Sequence, residues 1–67
     1  MKLQEIRKAN ELSQSQLAEI SSVNVRLIQD YEQGHKNINH AKAITLYSLS
    51  KALKCTIEDL LEIEKEG

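Results

Sequence analysis

The stretch Gln14-Ser15-Gln16-Leu17-Ala18-Glu19-Ile20-Ser21-Ser22-Val23-Asn24-Val25-Arg26-Leu27-Ile28-Gln29-Asp30-Tyr31-Glu32-Gln33 decides the fold. It reads as two short helices around a break. Ser13, just ahead of it, is followed three residues later by Gln16, the pattern of a capping box, and Leu12 supplies a hydrophobic staple. The first helix of the pair therefore runs from Gln14 to about Ile20, with Leu17 and Ala18 inward. Ser21-Ser22-Val23 interrupts it. Asn24 is a good N-cap, and a second helix follows from Val25 to Gln33 with Ile28 and Tyr31 on its inner face. Gly34 then stands where a helix end calls for positive φ. Ala18 is small enough for the second helix to cross the first closely, and Leu17, Val23, Ile28 and Tyr31 lock the pair from below. Such a pair can lay its second helix in the DNA major groove. An αα-hairpin used only for packing has the same apolar spacing.

Outward from this pair the chain is helical on both sides. Leu3, Ile6 and Ala9 or Asn10 make one apolar stripe, predicting a first helix from Lys2 to Asn10. His35 to Asn39 is polar except for Ile38 and reads as a loop. Asn39 can cap a fourth helix, from about His40 to Lys54, with Leu46, Leu49 and Leu53 (and Ala43 and Ser50) as its core stripe. Thr56 caps a last helix from Ile57 to about Glu64, where Glu58 and Asp59 suit the positive helix end and Ile57, Leu60 and Leu61 point in. The expectation is an all-α fold, five short helices around one core, in a single domain over 1–67 with a frayed acidic tail at about 64–67.

Composition agrees. The 67 residues include no Pro, Trp or Phe and only two Gly, so aliphatic packing must supply the core. A single cysteine, Cys55, excludes an internal disulfide framework. No apolar run is long enough to cross a membrane, and Met1-Lys2-Leu3-Gln4-Glu5 carries no signal-peptide core; a cytoplasmic location is expected. The net charge of −1 conceals a division. Residues 1–54 carry eight cationic against five acidic side chains, a net +3, and residues 55–67 carry one against five, a net −4. An acidic end on a mildly basic body makes a directional field; a solvated last-helix face has the same charge pattern.

Four blocks in order then carry a resemblance. They are Leu3-x-x-Ile6-Arg7; Leu12-Ser13-Gln14-x-x-Leu17-Ala18; Val23-x-x-x-x-Ile28-x-x-Tyr31-Glu32-x-Gly34; and Leu49-x-Lys51-Ala52-Leu53-x-Cys55-Thr56-x-x-Asp59-Leu60-Leu61. From Leu3 to Leu61 the chain resembles the lambda repressor/Cro-like (XRE-type) helix-turn-helix family of bacterial and phage DNA-binding proteins. The main departures are at turns, where the family usually has Gly and this chain has Glu11, Ser22 and Lys54. A left-handed Ser22 would cost about 1–2 kcal/mol.

The resemblance implies roles. Val25, Arg26, Gln29 and Asp30 correspond to base-reading positions, with Asn24 near the backbone or the first base. Arg26 has a planar fork suited to guanine O6 and N7, and Val25 offers a contact to the thymine methyl. Gln29 suits adenine or a phosphate. Asp30, at i+4 from Arg26, either orients the guanidinium or accepts from cytosine N4. Gln14 corresponds to a phosphate contact at a helix N-terminus. Lys36, Asn37, Asn39 and Lys42 resemble the loop that grips the DNA backbone. Arg7 and Glu32 correspond to a structural ion pair rather than to base readers. Each exposed position has ordinary solvated surface as its alternative reading.

The function expected is sequence-specific double-stranded DNA binding by a small transcriptional regulator, a repressor acting as a homodimer on a palindrome. Ile57, Leu61 and Ile63 on the last helix are the expected dimer surface. The alternative is a protein-interaction module such as an antitoxin or adaptor, docking through Ile20, Leu27 and Ile44. No enzyme is expected: Ser13 and Ser15 lack His/Asp partners. His35 and His40 lack a third ligand, so neither a metal nor a cofactor is proposed. Cys55 reads as a packing residue and Tyr47 as core edge or interface.

Overall fold

In a computed structural model, which describes residues 2–62, the chain folds into α1 (Lys2–Ala9), α2 (Gln14–Ser21), α3 (Val25–Glu32), a 3-10 turn (Ile38–His40), α4 (Ala43–Leu53) and α5 (Ile57–Leu60). No strand occurs among the described residues. Helix α2 packs on α3 and α4, α5 closes on α4, and α1 lies against α3 and α5. The core is almost wholly aliphatic: Leu3, Leu17, Ile28, Ile38, Leu49, Leu53 and Leu60 are fully buried, with Val23, Tyr31 and Leu46 nearly so. Each such side chain contributes about 1.5–3 kcal/mol by leaving water.

The caps explain where the helices begin. Ser13 accepts from the Gln16 N–H at 3.0 Å while the Gln16 side chain accepts from the Ser13 N–H at 2.8 Å, a complete capping box. Asn24 Oδ1 accepts from the Arg26 N–H at 2.7 Å and opens α3. Thr56 and Asp59 form a second reciprocal box at the start of α5.

Helix ends share a different device. After α3, Gly34 takes φ 81° and the His35 N–H returns to the Asp30 carbonyl at 2.8 Å. After α1 and α4 the same reversal is made without glycine. Glu11 has φ 58°, with Leu12 N–H on the Arg7 carbonyl, and Lys54 has φ 56°, with Cys55 N–H on the Ser50 carbonyl. The third non-glycine residue in this region is Ser22, at φ 60° between α2 and α3. There the Val23 N–H donates to Ser21 Oγ, and that hydroxyl donates in turn to the Leu17 carbonyl. All three left-handed residues stand where the resembled family usually has Gly.

Three expectations are corrected. The fourth helix starts at Ala43, not His40, and Asn39 does not cap it. Ile38 is the reason: it is buried in the core at 1% exposure, so the chain turns inward around it before α4 can start. Asn37 caps that turn by accepting from the Asn39 N–H, and the Ala41 N–H closes it on the Ile38 carbonyl. Ala43, placed at the first turn of the shortened helix, is exposed and outside the core. The last helix ends at Leu60, because Leu61 is extended and the backbone of Glu62 pairs with the Asn39 side chain: its N–H donates to Oδ1 at 2.8 Å, and its carbonyl accepts from Nδ2 at 3.0 Å. Residues 63–67, and with them Ile63 and the expected frayed tail, lie outside the described residues.

Candidate nucleic-acid interface

The surface around α3 begins with what fixes its inner side. Arg7 of α1 is 8% exposed and makes a two-pronged contact with Glu32 at the end of α3. Its Nε donates to Oε2 at 2.8 Å and Nη2 to Oε1 at 2.9 Å, while Nη1 donates to the Leu12 carbonyl at 2.7 Å. Gln14, the first residue of α2, donates its amide to Glu32 Oε1 at 3.0 Å. One carboxylate thus ties three helices together. Burial alone would raise the Glu32 carboxyl pKa, but hydrogen bonds from Arg7 and Gln14, with the charges of Arg7 and Lys8, outweigh it and hold it below the usual range. Arg7 is pushed up, first by its hydrogen bond to Glu32, against burial and with the carboxylate charge. Both directions describe an ion pair fixed in its charged form.

The opposite side of α3 faces outward. The Arg26 side chain is 82% exposed and its Nε lies 4.0 Å from Asp30 Oδ1, a loose i,i+4 pair. Asn24 is exposed, with its oxygen engaged by the cap; Val25, Gln29 and Asp30 are half-buried along the same side. The five expected base-reading residues therefore share the accessible part of one helix and its cap, and the Arg26 side chain is 82% exposed.

Beside this face is an open cleft of about 380 Å³ lined by Leu27, Tyr31, Lys36, Asn37, His40, Ala41, Lys42 and Thr45. It gathers Lys36, Asn37 and Lys42, three of the expected backbone-gripping residues. His40, which sequence reading set aside, joins them; its place follows from the 3-10 turn that buries Ile38. At the cleft edge α4 opens on Lys42 with no side-chain cap. Its first-turn N–H groups therefore have no intrahelical acceptor, an arrangement that attracts anions. Asn39 is not brought to the cleft, since both ends of its amide are on Glu62. Gln14 likewise has an amide donor occupied, by Glu32.

Elsewhere, Ile57 and Leu61 are half-buried and packed against the core. Ile44 and Tyr47 on α4 are 67% and 51% exposed, and Ile20 at the end of α2 is 58% exposed. Leu27 is half-buried in the cleft. Burial, and next to it the Asp59 charge, raises the Cys55 thiol pKa, which keeps it protonated and a weak nucleophile. No cluster of three potential metal ligands occurs among the described residues, and none of their helices is long and apolar enough to cross a membrane.

A two-helix motif with a capped second helix, braced from behind and edged by lysines, has the arrangement of a helix-turn-helix. The helix-turn-helix family model matches residues 3–60, and the chain belongs to that family, the XRE-type, lambda repressor/Cro-like group of DNA-binding regulators. No curated protein and no solved structure matches the chain.

Proposed function

We propose that this protein is a sequence-specific transcriptional regulator, a cytoplasmic repressor that binds palindromic double-stranded DNA as a homodimer and reads the major groove with α3. The observation that carries this reading is the asymmetry of α3. Its inner side is bonded to α1 and α2 through Glu32, while the Arg26 side chain is 82% exposed on the outer side, its Nε 4.0 Å from Asp30 Oδ1. An exposed guanidinium on a braced helix, only loosely approached by Asp30, suits the paired acceptors of guanine, a contact worth about 1–3 kcal/mol of discrimination. Asn24, Val25, Gln29 and Asp30 complete the reading face. Lys36, Asn37, Lys42 and the uncapped start of α4 supply phosphate contacts.

The test is enrichment of random duplex DNA on the purified protein, with Arg26→Ala in parallel. The expected outcome is a palindromic motif whose guanine preference vanishes in the variant; no motif from folded protein would overturn the reading. A second reading, protein docking, rests on the exposure of Ile44 and Tyr47 on α4. Salt separates them, because log affinity for DNA falls against log salt by about 0.9 per phosphate contacted and an apolar contact barely responds.

A further inference from the structure

The left-handed turn at Gly34 folds the chain back onto the end of α3. The N–H groups of His35 and Lys36 both donate to the Asp30 carbonyl, at 2.8 and 3.2 Å. His35 is thereby pinned beside Asp30, and its Nδ1 lies 3.6 Å from Asp30 Oδ1. The same oxygen is 4.0 Å from Arg26 Nε. Arg26 and His35 are the two cationic groups within ion-pair distance of this carboxylate among the described residues, and both are largely exposed while Asp30 is 20% exposed.

We infer that His35 is a specificity-determining residue of the reading face, acting through Asp30 on Arg26. This rests on the DNA-binding reading above. A protonated imidazole takes the Asp30 carboxylate and leaves Arg26 free for a base edge. A neutral imidazole leaves Arg26 facing an unneutralised carboxylate, which holds it back from the base edge. Selective binding therefore tightens when the imidazole gains a proton and weakens when it loses one.

The other charges nearby do not share this oxygen. Lys36 follows His35 in the chain and lines the cleft with His40 and Lys42, and Glu32 is turned to Arg7 and Gln14. A proton on His40 or His35 also adds general attraction to any duplex. The discriminating quantity is therefore the ratio of affinities for selected and scrambled duplexes, in which general attraction cancels.

The experiment has two arms. In the free protein, the Arg26 Nε–Hε and His35 imidazole resonances are followed from pH 8 to 5 in wild type, His35→Gln and Asp30→Asn. Arg26 is expected to move with the His35 midpoint in wild type and to lose that response in both variants; a wild-type Arg26 that does not move overturns the inference without reference to DNA. In the second arm, the selected-to-scrambled ratio at fixed salt is measured at pH 6 and 8. It should be higher at pH 6 by roughly twofold per half-site, the size of an exposed i,i+4 pair, and flat in His35→Gln. A response that survives in His35→Gln overturns the inference. Coupling in the free protein with no duplex enriched would instead overturn the DNA reading, and the role of His35 in specificity with it.

Discussion

Two arginine–carboxylate pairs flank α3, and they differ in everything except chemistry. The inner one, Arg7 with Glu32, is bidentate at 2.8 and 2.9 Å, with side chains 9% and 2% exposed. The outer one, Arg26 with Asp30, is a single 4.0 Å approach between side chains 82% and 20% exposed. Removal from water makes the inner pair costly to break, because each charge has lost its hydration and depends on the other. The outer pair contributes a few tenths of a kcal/mol, about what surface pairs give. Geometry and burial thus assign one pair to holding the helix and leave the other open to a ligand.

The largest expected effect tests the inner pair. Arg7→Ala or Glu32→Ala should each cost about 3–5 kcal/mol, enough to unfold a chain this small as followed by circular dichroism. Arg7→Met with Glu32→Leu should melt above either single replacement; a double variant no better than the singles would break the distinction between the pairs.

Acid sharpens it further. The folded Glu32 carboxyl titrates below its unfolded value, so its contribution is complete above an ordinary glutamate pKa of about 4.3 and is lost as pH falls through the folded value. Asp59 is also lowered, by its backbone and side-chain bonds with Thr56, and acts in the same direction. The melting temperature of wild type should therefore fall below about pH 4.3, and more steeply than that of the Met/Leu double variant, which retains only the Asp59 contribution. Equal slopes would mean that Glu32 carries no special share.

For the outer pair, Arg26→Ala should leave melting unchanged while removing about 1–3 kcal/mol of base discrimination per half-site. A lower melting temperature would show Arg26 to be structural after all. The smallest effect concerns the turn that sets α3 between its two environments. Ser22→Gly relieves a left-handed serine and should stabilise by about 0.5–1 kcal/mol, a rise of a few degrees in a thermal melt. Lys54→Gly should behave alike, since its φ of 56° presents the same problem.

Local signals made much of this legible in the sequence. Ser13/Gln16, Asn24 and Thr56 announce helix starts because a cap and its N–H partner are neighbours in the chain. What escaped depends on distance. Ile38 is one apolar residue in a polar run and shows no period, yet its burial delays α4 to Ala43. The end of α5 is set by Asn39 and Glu62, which are 23 residues apart. Glu11 and Lys54 are not residue types that signal left-handed backbone; only the resemblance marked those positions. The candidate site divides similarly. The outward residues of α3 follow from helical spacing once its inner face is known, whereas pairing Arg7 with Glu32 came from the resemblance. The approach of His35 to Asp30 was legible in principle, since a glycine-ended helix returns the second residue beyond its last turn to that carbonyl.

The inner clasp also governs how this sequence can change over generations. Loss of either half strands a buried charge, and below ~70–80 residues a core rarely holds more than about 3–5 kcal/mol in reserve. A lineage altering one residue at a time would therefore pass through an unfolded intermediate to replace Arg7 and Glu32, even where a matched apolar pair is expected to restore the fold. Arg26 and Asp30 meet no such barrier and can be exchanged singly while the chain stays folded. Single substitutions are therefore costly on the inner side of α3 and tolerated on the outer one.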